Sequence, residues 1–428
     1  MKKFFASVGL VAAGTASLYA AYTPDLTPMQ ASKFWTVSTT LRGFYDDNYS
    51  TSTDGHKQGS VGFEVNPEIK MDVPLQQTEI GLKYDYGLYY YQKRQDDGQN
   101  PIDQSHQLDL YVDHAFTERL TAKVDDTLAI GQEPTLLNPG GGPNAQPFRV
   151  NGNNLANNGT VLVKNDWTRQ LSTVMTYRNG FYDYQNNDDG LTPAQQAADP
   201  SLAGILNRID QTIGMDLQWQ FAPETVGLIG YKFEWVNYTG NEAIAPGFNS
   251  DSRNTRSHIV YVGVQHNLLA NFNVSADAGV QDVDYYNASP STSSLQPYGT
   301  LSAVYTYAPG SYVQLGFTHE ENATDVVAPK NGKITQSQES SVVFVSVNHH
   351  VTQKLLATAI VNFQNSTFNG GANANEADQT YSFGANLNYA FTQHFSAMLG
   401  YNFDDLQSDI AGRSYSRNRV YLGVTAAY

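Results

Sequence analysis

The sequence contains no cysteine and, after the first 20 residues, no long apolar run. Without cysteine, neither a disulfide nor a lipid-anchored N-terminal cysteine can form. Every later apolar stretch falls well short of the ~18 uncharged residues that a membrane-spanning helix needs. The mean hydropathy of −0.42 is that of a water-soluble protein. A membrane barrel built from amphipathic strands can have an equally low mean hydropathy, because half of the residues in each strand are polar.

Basic residues are also scarce. The chain has 25 Lys and Arg against 41 Asp and Glu, for a formal charge of −16, and its lysines are dispersed. Nucleic-acid binding requires clustered basic residues, so we predict no nucleic-acid partner. His349 and His350 are adjacent and would point to opposite faces of a strand. The nine histidines lie in no nucleophile motif, and we expect no enzyme, cofactor or metal site.

The N-terminus has the pattern of a secretory signal. Lys2 and Lys3 precede an apolar run, and small residues follow up to Ala20. This arrangement predicts a signal peptide over residues 1–20, cleaved after Ala20. Residues 21–33 then form a short periplasmic tail before a single domain at 34–428.

Alternation of apolar and polar residues dominates the rest of the chain and is clearest between Val61 and Tyr90. Apolar residues occupy the odd positions up to Val73 and the even positions from Ile80. Period two indicates strands with two unlike faces. These strands are longer than the roughly 9 to 11 residues that a tilted strand needs to cross a bilayer. We therefore predict that the apolar face contacts lipid and the charged face lies inside.

Short turns and long loops alternate along the chain. The short turns lie near Leu75, Thr117, Thr168, Pro223, Leu268, Pro309, Thr352 and Thr392. Four of them share an apolar-Thr-x-x-apolar motif, at 116–120, 167–171, 351–355 and 391–395. The longer connections are 46–58, 93–105, 133–159, 185–208, 239–255, 287–296, 320–337, 366–377 and 407–416. Eight turns and nine loops predict an all-β, antiparallel up-and-down transmembrane barrel of eighteen strands, with sixteen as the alternative and the long loops outside.

The signal segment, the alternating strands and the final strand ending on Tyr428 resemble a bacterial outer-membrane porin. The repeated threonine turns resemble the putative beta-barrel porin 2 family. The resemblance implies a Gram-negative outer membrane, with lipid and lipopolysaccharide around the barrel. It also implies insertion by the barrel-assembly machinery, which reads a C-terminal aromatic residue such as Tyr428. Many porins associate in threes, so a homotrimer is a further expectation.

Charged residues on the polar face are the candidate pore lining. The acids outnumber the bases ten to six, which suggests a mild preference for cations. The predicted residues are Glu64, Glu68, Lys70, Asp72, Lys83, Asp85, Asp109, Asp113, Lys123, Asp125, Lys164, Arg178, Asp216, Lys232, Glu234 and Asp277.

Two long loops carry further predictions. The loop at 133–159 is rich in glycine and proline. By resemblance to porins, its Pro147, Phe148 and Arg149 are a candidate constriction, although an outside loop without a role in permeation is an equal alternative. The loop at 185–208 contains Thr192-Pro193 and Asp199-Pro200, each a helix cap followed by proline, which predicts a short helix.

Tryptophans are expected at the two membrane interfaces. Trp35, Trp167 and Trp219 lie near periplasmic strand ends, and Trp235 lies near an outer end. This distribution is typical of aromatic girdles.

Two residues fit the barrel poorly. Asp126 lies on the apolar side of its strand, where a charge is unfavourable, so we expect a β-bulge there or a different strand boundary. Pro67 removes a ladder hydrogen bond, and a local bulge is expected there too.

These observations favour a porin or porin-like channel for passive diffusion of small hydrophilic solutes and ions. The alternative is a structural or surface-binding barrel, with a closed pore and outer loops that bind a partner or a polysaccharide. An outer-membrane hydrolase is the remaining hypothesis. Conductance separates the first two, and turnover of a lipid or ester substrate tests the third.

Overall fold

A computed structural model describes residues 33–133, 152–186, 190–288 and 292–428. The predicted signal peptide and residues 21–32 of the predicted tail lie outside these ranges. Within them, eighteen strands form one antiparallel sheet. The strands are β1 Trp35–Asp46, β2 Ser60–Pro74, β3 Thr78–Tyr91, β4 Ile102–Ala115, β5 Leu120–Glu133, β6 Gly152–Asp166, β7 Leu171–Tyr184, β8 Arg208–Ala222, β9 Thr225–Tyr238, β10 Thr255–Leu269, β11 Phe272–Tyr285, β12 Thr292–Ala308, β13 Ser311–Asn322, β14 Thr335–His350, β15 Leu355–Gly370, β16 Ala377–Ala390, β17 Phe395–Ser408 and β18 Tyr415–Ala427.

The sheet closes on itself. Strand β1 pairs with β2 on one side and with β18 on the other. Every other strand pairs with its two neighbours in the chain. The molecule is therefore a closed up-and-down barrel, and the predicted fold class and number of strands are confirmed.

The apolar face of the strands points outward. Val61, Phe63 and Ile69 are 62, 47 and 53% exposed, whereas Glu64 between them is 5% exposed. A soluble sandwich would bury the apolar side chains and expose the acid. The prediction that the apolar side is the outer one is confirmed.

The threonine turns have one geometry. In each of the four, the threonine Oγ1 accepts hydrogen bonds of 3.0–3.2 Å from the backbone N–H groups two and three residues further on. The residues are Thr117, Thr168, Thr352 and Thr392. The side chain satisfies donors that the end of the ladder leaves unpaired.

Short helices lie in the long loops. They are α1 Gln92–Asp96, α2 Pro193–Ala198 and α3 Leu202–Leu206. The predicted start of α2 is confirmed, with Gln195 Oε1 accepting from the Thr192 N–H at 3.0 Å. The predicted cap at Asp199 is wrong, because Ser201 caps α3 by accepting from the Gly204 N–H at 2.9 Å. No helix of the described residues is long and apolar enough to cross a membrane.

Several predicted loops are shorter in the structure. The predicted loop 133–159 ends early, because its last eight residues already belong to β6, which begins at Gly152. Asparagine is depleted in strands, and the run Asn151-Gly-Asn-Asn-Leu-Ala-Asn-Asn-Gly159 was therefore assigned to the loop. From Gly152 onward the run pairs without interruption with β5, and from Asn154 onward it also pairs with β7. Strands also extend into the predicted loops 287–296, 320–337 and 366–377.

Neither expected bulge is present. At Asp126 the register continues without a shift in both pairings of β5. At Pro67 the pairing of β2 with β3 is interrupted between Val65 and Glu68, but it resumes in the same register. The side-chain Nδ2 of Asn66 donates to the carbonyl oxygen of Tyr86 at 2.9 Å. This bond replaces the one that the proline nitrogen cannot make.

Candidate functional site

The register of the ladder decides which side chains share the inner face. Opposed residues of antiparallel strands point to the same side of a sheet. Glu64 opposes Arg42 on β1 and Tyr89 on β3, and the same succession can be followed around the barrel. It places all sixteen predicted charged residues on the inner face, from Glu64 on β2 to Asp277 on β11. Their role in permeation stays a prediction.

Inner-face charges pair with near neighbours on strands β1 to β5. Glu64 accepts from Arg42 at 2.9 Å. Lys123 and Asp113 lie 2.8 Å apart, and Lys83 lies 3.5 Å from Glu68. This wall therefore presents both signs of charge close together.

A second group of inner-face residues, on strands β7 to β13, forms a polar site in the described barrel wall, and several of its members are buried. We call it the inner-wall cluster. Its members are Arg178 on β7, Asp216 on β8, Lys232 and Glu234 on β9, Tyr261 on β10, Asp277 on β11, Tyr298 on β12 and Glu320 on β13. Lys232, Asp216 and Asp277 are 6, 7 and 8% exposed. Charges this buried require paired or hydrogen-bonded partners.

Lys232 is the centre of the cluster. Its ammonium donates to the Tyr298 hydroxyl at 2.8 Å. It also lies 4.8 Å from the ring centre of Tyr261 and 5.0 Å from that of Tyr298. Both distances are in the range of cation–π attraction. The bond to Tyr298 extends from β9 to β12, three strands away around the wall.

Hydroxyl groups hold two of the four acids of the cluster. The Tyr261 hydroxyl donates to Asp216, and the Thr300 hydroxyl donates to Asp277 at 2.9 Å. Both bonds orient a carboxyl group through a neutral hydroxyl donor.

Glu320 lies on the far side of the cluster from Arg178. Its carboxylate lies near enough to Arg178 and Lys232 for their charges to interact. Arg178 is on β7, six strands from β13, which is about 29 Å along a wall of strands about 4.8 Å apart. The two side chains therefore approach each other through the interior.

Sequence reasoning missed Glu320 because it assigned the residue to a loop, whereas β13 continues to Asn322. The alternation was sufficient to find it. Val313, Leu315 and Phe317 are the outward residues of this strand, so Glu320 has the inward parity. Tyr261 and Tyr298 were missed because only charged residues were considered.

Arginines near the chain termini were also missed. Arg417 and Arg419 both donate to Asp46, and Arg419 also donates to the Tyr91 hydroxyl at 3.0 Å. Their positions opposite Asp404 and Asn402 place them on the inner face. Further charged residues on the inner face are Arg42, Arg208, Asp46, Asp210, Glu320, Asp378 and Asp404. When these and the two arginines are added to the sixteen predicted residues, acids still outnumber bases on the inner face.

The loops at the outer mouth are tied together by two arginines, of which Arg253 is fully buried and Arg413 is partly buried. Arg253 donates to the carbonyl oxygens of Ile205, Thr324 and Gln336, at 3.0, 2.7 and 3.2 Å. Arg413 bonds Asp325 at 2.6 Å and Asp378 at 2.7 Å. Burial opposes the charge of Arg413, but the two carboxylates outweigh it and raise the pKa of Arg413 above its usual range.

The remaining predicted residues have the following positions. Pro147, Phe148 and Arg149 lie outside the described residues. Trp35, Trp167 and Trp219 are 50, 59 and 47% exposed at the ends of β1, β6 and β8 that carry the short turns. Trp235 lies on the outward face of β9, near the other end. Tyr428 exchanges backbone hydrogen bonds with Val37 and is 67% exposed.

Solved outer-membrane proteins resemble the chain at low identity. OccAB4 of Acinetobacter baumannii is 14% identical, with 94% of this chain and 100% of that chain covered and a TM-score of 0.42. OccK9 (OpdG) of Pseudomonas aeruginosa is 12% identical, with 92 and 98% covered and a TM-score of 0.43. OpdK of the same organism, in a structure with vanillate, is 10% identical, with 92 and 99% covered and a TM-score of 0.44. Scores this low transfer no property to this chain.

No curated protein matches the chain in sequence. The family described as Putative beta-barrel porin 2 matches residues 35–428, which is the whole barrel from the first residue of β1. The chain is therefore an outer-membrane β-barrel that belongs to the Putative beta-barrel porin 2 family.

Proposed function

We propose that this barrel is a channel for passive diffusion of small hydrophilic solutes and ions, with a mild preference for cations. The observation that carries the proposal is the separation of the two faces, with fixed charges inside and apolar side chains outside. Barrels of 16 to 18 strands are wide enough to leave an aqueous path. The excess of acids on the inner face favours cations within that path.

The inner-wall cluster is the proposed narrow part of the path. A solute that passes it meets carboxylates, the ammonium of Lys232, the guanidinium of Arg178 and two tyrosine hydroxyls. No covalent chemistry is needed, and we propose that the protein is not an enzyme. Selectivity would arise from the local field of the cluster and from the space between β7 and β13.

Conductance in planar bilayers tests the proposal. Purified protein is expected to give stepwise currents, and a salt gradient is expected to give a reversal potential of the sign that cation preference requires. Stepwise currents with neutral or anion selectivity would refute the cation preference alone. Absence of conductance in folded protein would refute the channel.

One variant and its control test whether the inner-wall cluster sets the ion selectivity of the channel. Glu320→Gln removes one acid from the inner-wall cluster and is expected to move the reversal potential toward anion permeation. Glu118→Gln removes the same charge from an exposed periplasmic turn and is expected to leave it unchanged. Equal shifts in both variants would show that overall charge, rather than the cluster, sets selectivity.

The loop residues Pro147, Phe148 and Arg149 remain a second proposed constriction. Arg149→Gln is expected to raise single-channel conductance for cations if the loop enters the lumen. An unchanged conductance would leave the inner-wall cluster as the narrow part.

A closed, surface-binding barrel is the second candidate. The tied outer loops favour it, because Arg253 and Arg413 hold the mouth together. Such a barrel would conduct no current and would retain a polysaccharide or protein partner on its outer loops.

Export and assembly complete the proposal. Residues 1–20 would direct export, and Tyr428 would be read by the barrel-insertion machinery. Lipid and lipopolysaccharide would surround the apolar face. Replacing Tyr428 with Ala is expected to lower the amount of folded barrel in the outer membrane.

A further inference from the structure

We propose that the outer face of strands β5 to β8 is a contact surface for a second copy of this chain. The contact would form through a row of polar side chains that crosses the lipid-facing wall. The row consists of Asp126 on β5, Asn157 on β6, Asn179 on β7 and Gln211 on β8, and we call it the lipid-facing polar row.

The register establishes that the row is continuous. Asp126 opposes Gly159, Gly159 opposes Asn179, and Asn179 opposes Gln211. Asn157 is two residues from Gly159 on the same face. One polar residue thus interrupts the apolar band on each of four successive strands.

Asp126, the charged residue of the row, lies at the depth of the hydrocarbon. Along β5, Val124 and Leu128 flank Asp126 on the same face, and the strand continues for six residues to one end and seven to the other. Each of these arms is about 20 Å of strand. Because barrel strands tilt by about 40°, Asp126 lies near the middle of an apolar band about 25 Å tall.

The polar groups of the row are already oriented toward one another. Asn157 Nδ2 donates to both carboxylate oxygens of Asp126, each at 3.1 Å. Gln211 Nε2 donates to Asn179 Oδ1 at 3.3 Å and to the Tyr177 hydroxyl at 3.2 Å. These bonds satisfy only part of the capacity of a carboxylate and two amides.

The opposite wall lacks this feature. The outward residues at the middle of β14 to β17 are apolar, such as Val345, Val361, Ala385 and Leu399. Val361 and Leu399 are 48 and 50% exposed. The row is therefore a local property of one wall.

A second copy satisfies the row where lipid tails cannot. A charge in the hydrocarbon is unfavourable, and polar groups facing lipid usually mark a protein contact. The row contains a carboxylate acceptor together with amides that both donate and accept, so the amide donors of one row can pair with the acceptors of an identical row. Gly159 lies at its centre without a side chain, and small residues allow two walls to approach closely.

The mass of the purified protein in detergent tests the proposal. The wild-type chain is expected to associate. The double variant Asp126→Leu, Asn157→Leu is expected to weaken association roughly tenfold or more, because each polar contact in a membrane contributes modestly and several are lost. The control Asn165→Leu makes the same kind of change on the outward face of β6, near the periplasmic end. It is expected to leave association unchanged.

Folding is checked separately by the migration of unboiled protein on a gel. A wild-type chain of single-copy mass, or a folded double variant that associates as the wild type does, would overturn the proposal. Because the chain has no cysteine, Met175→Cys gives a background-free position beside the row for a bifunctional thiol reagent. In intact membranes the expected adduct has twice the mass of the chain. An adduct of any other mass, or equal dimer formation by Val361→Cys, would also overturn it.

Discussion

At the scale of single residues, Arg253 joins separate segments of the outer mouth. Its side chain is fully buried and bonds backbone carbonyls of three separate outer segments. A guanidinium has five donors in a rigid plane, which allows one residue to satisfy three carbonyls that no strand pairs. The arrangement of the outer mouth therefore depends on this side chain.

Arg253→Ala is expected to loosen the outer loops without unfolding the barrel. Each carbonyl left unpaired costs about 1 to 3 kcal/mol, so a loss of about 3 kcal/mol would raise loop opening about a hundredfold. Protease cleavage of the loops on intact cells measures this opening. Arg256→Ala removes an exposed arginine three residues away and is expected to change cleavage little. Equal cleavage of the two variants would contradict the role of Arg253.

At the scale of elements, four of the hairpins share one type of periplasmic turn. The threonine at its first position accepts two backbone N–H groups in each of four turns. The motif was recognisable in the sequence because all of its partners lie within three residues. Local hydrogen bonds of this kind do not depend on the rest of the fold.

Thr168→Ala is expected to destabilise the barrel by about 1 kcal/mol, the usual cost of losing a capping hydroxyl. Thr168→Ser keeps the acceptor and is expected to have a smaller effect. Unfolding by denaturant in lipid vesicles measures both. Equal destabilisation by Ala and Ser would mean that the methyl group, and not the hydroxyl, stabilises the turn.

At the scale of the whole molecule, closure removes every strand edge of the sheet. The pairing of β1 with β18 joins residues almost 400 positions apart, such as Thr40 and Thr425. Opening this seam would expose backbone groups to lipid, where nothing can pair with them. The barrel should therefore resist detergent until the whole ladder separates.

The barrel is expected to migrate differently on a denaturing gel before and after boiling. Unboiled protein keeps its closed ladder in detergent, whereas boiled protein is an extended chain. Arg42→Ala/Thr425→Val removes two side-chain contacts across the seam, Arg42 with the Tyr421 ring and Thr40 with Thr425, and is expected to lower the temperature at which the change in migration occurs. Identical migration with and without boiling would contradict closure.

The sequence by itself determined the strands, their number and their two faces, because alternation with period two is a local property of consecutive residues. It also determined the threonine turns and the start of α2, which depend on partners a few residues away. Local composition predicted a loop at the asparagine-rich start of β6. This prediction was wrong, because pairing with β5 and β7 overrides the low strand propensity of asparagine.

Only the tertiary structure decided the relations between distant segments. The approach of Glu320 to Arg178 depends on the curvature of the whole wall, and the bonds of Arg253 depend on how three loops fold over one another. The row at Asp126 became visible only when the register of four strands was known. The physical reason is that one strand's pattern defines which face a residue occupies, whereas closure of the barrel defines what that face meets.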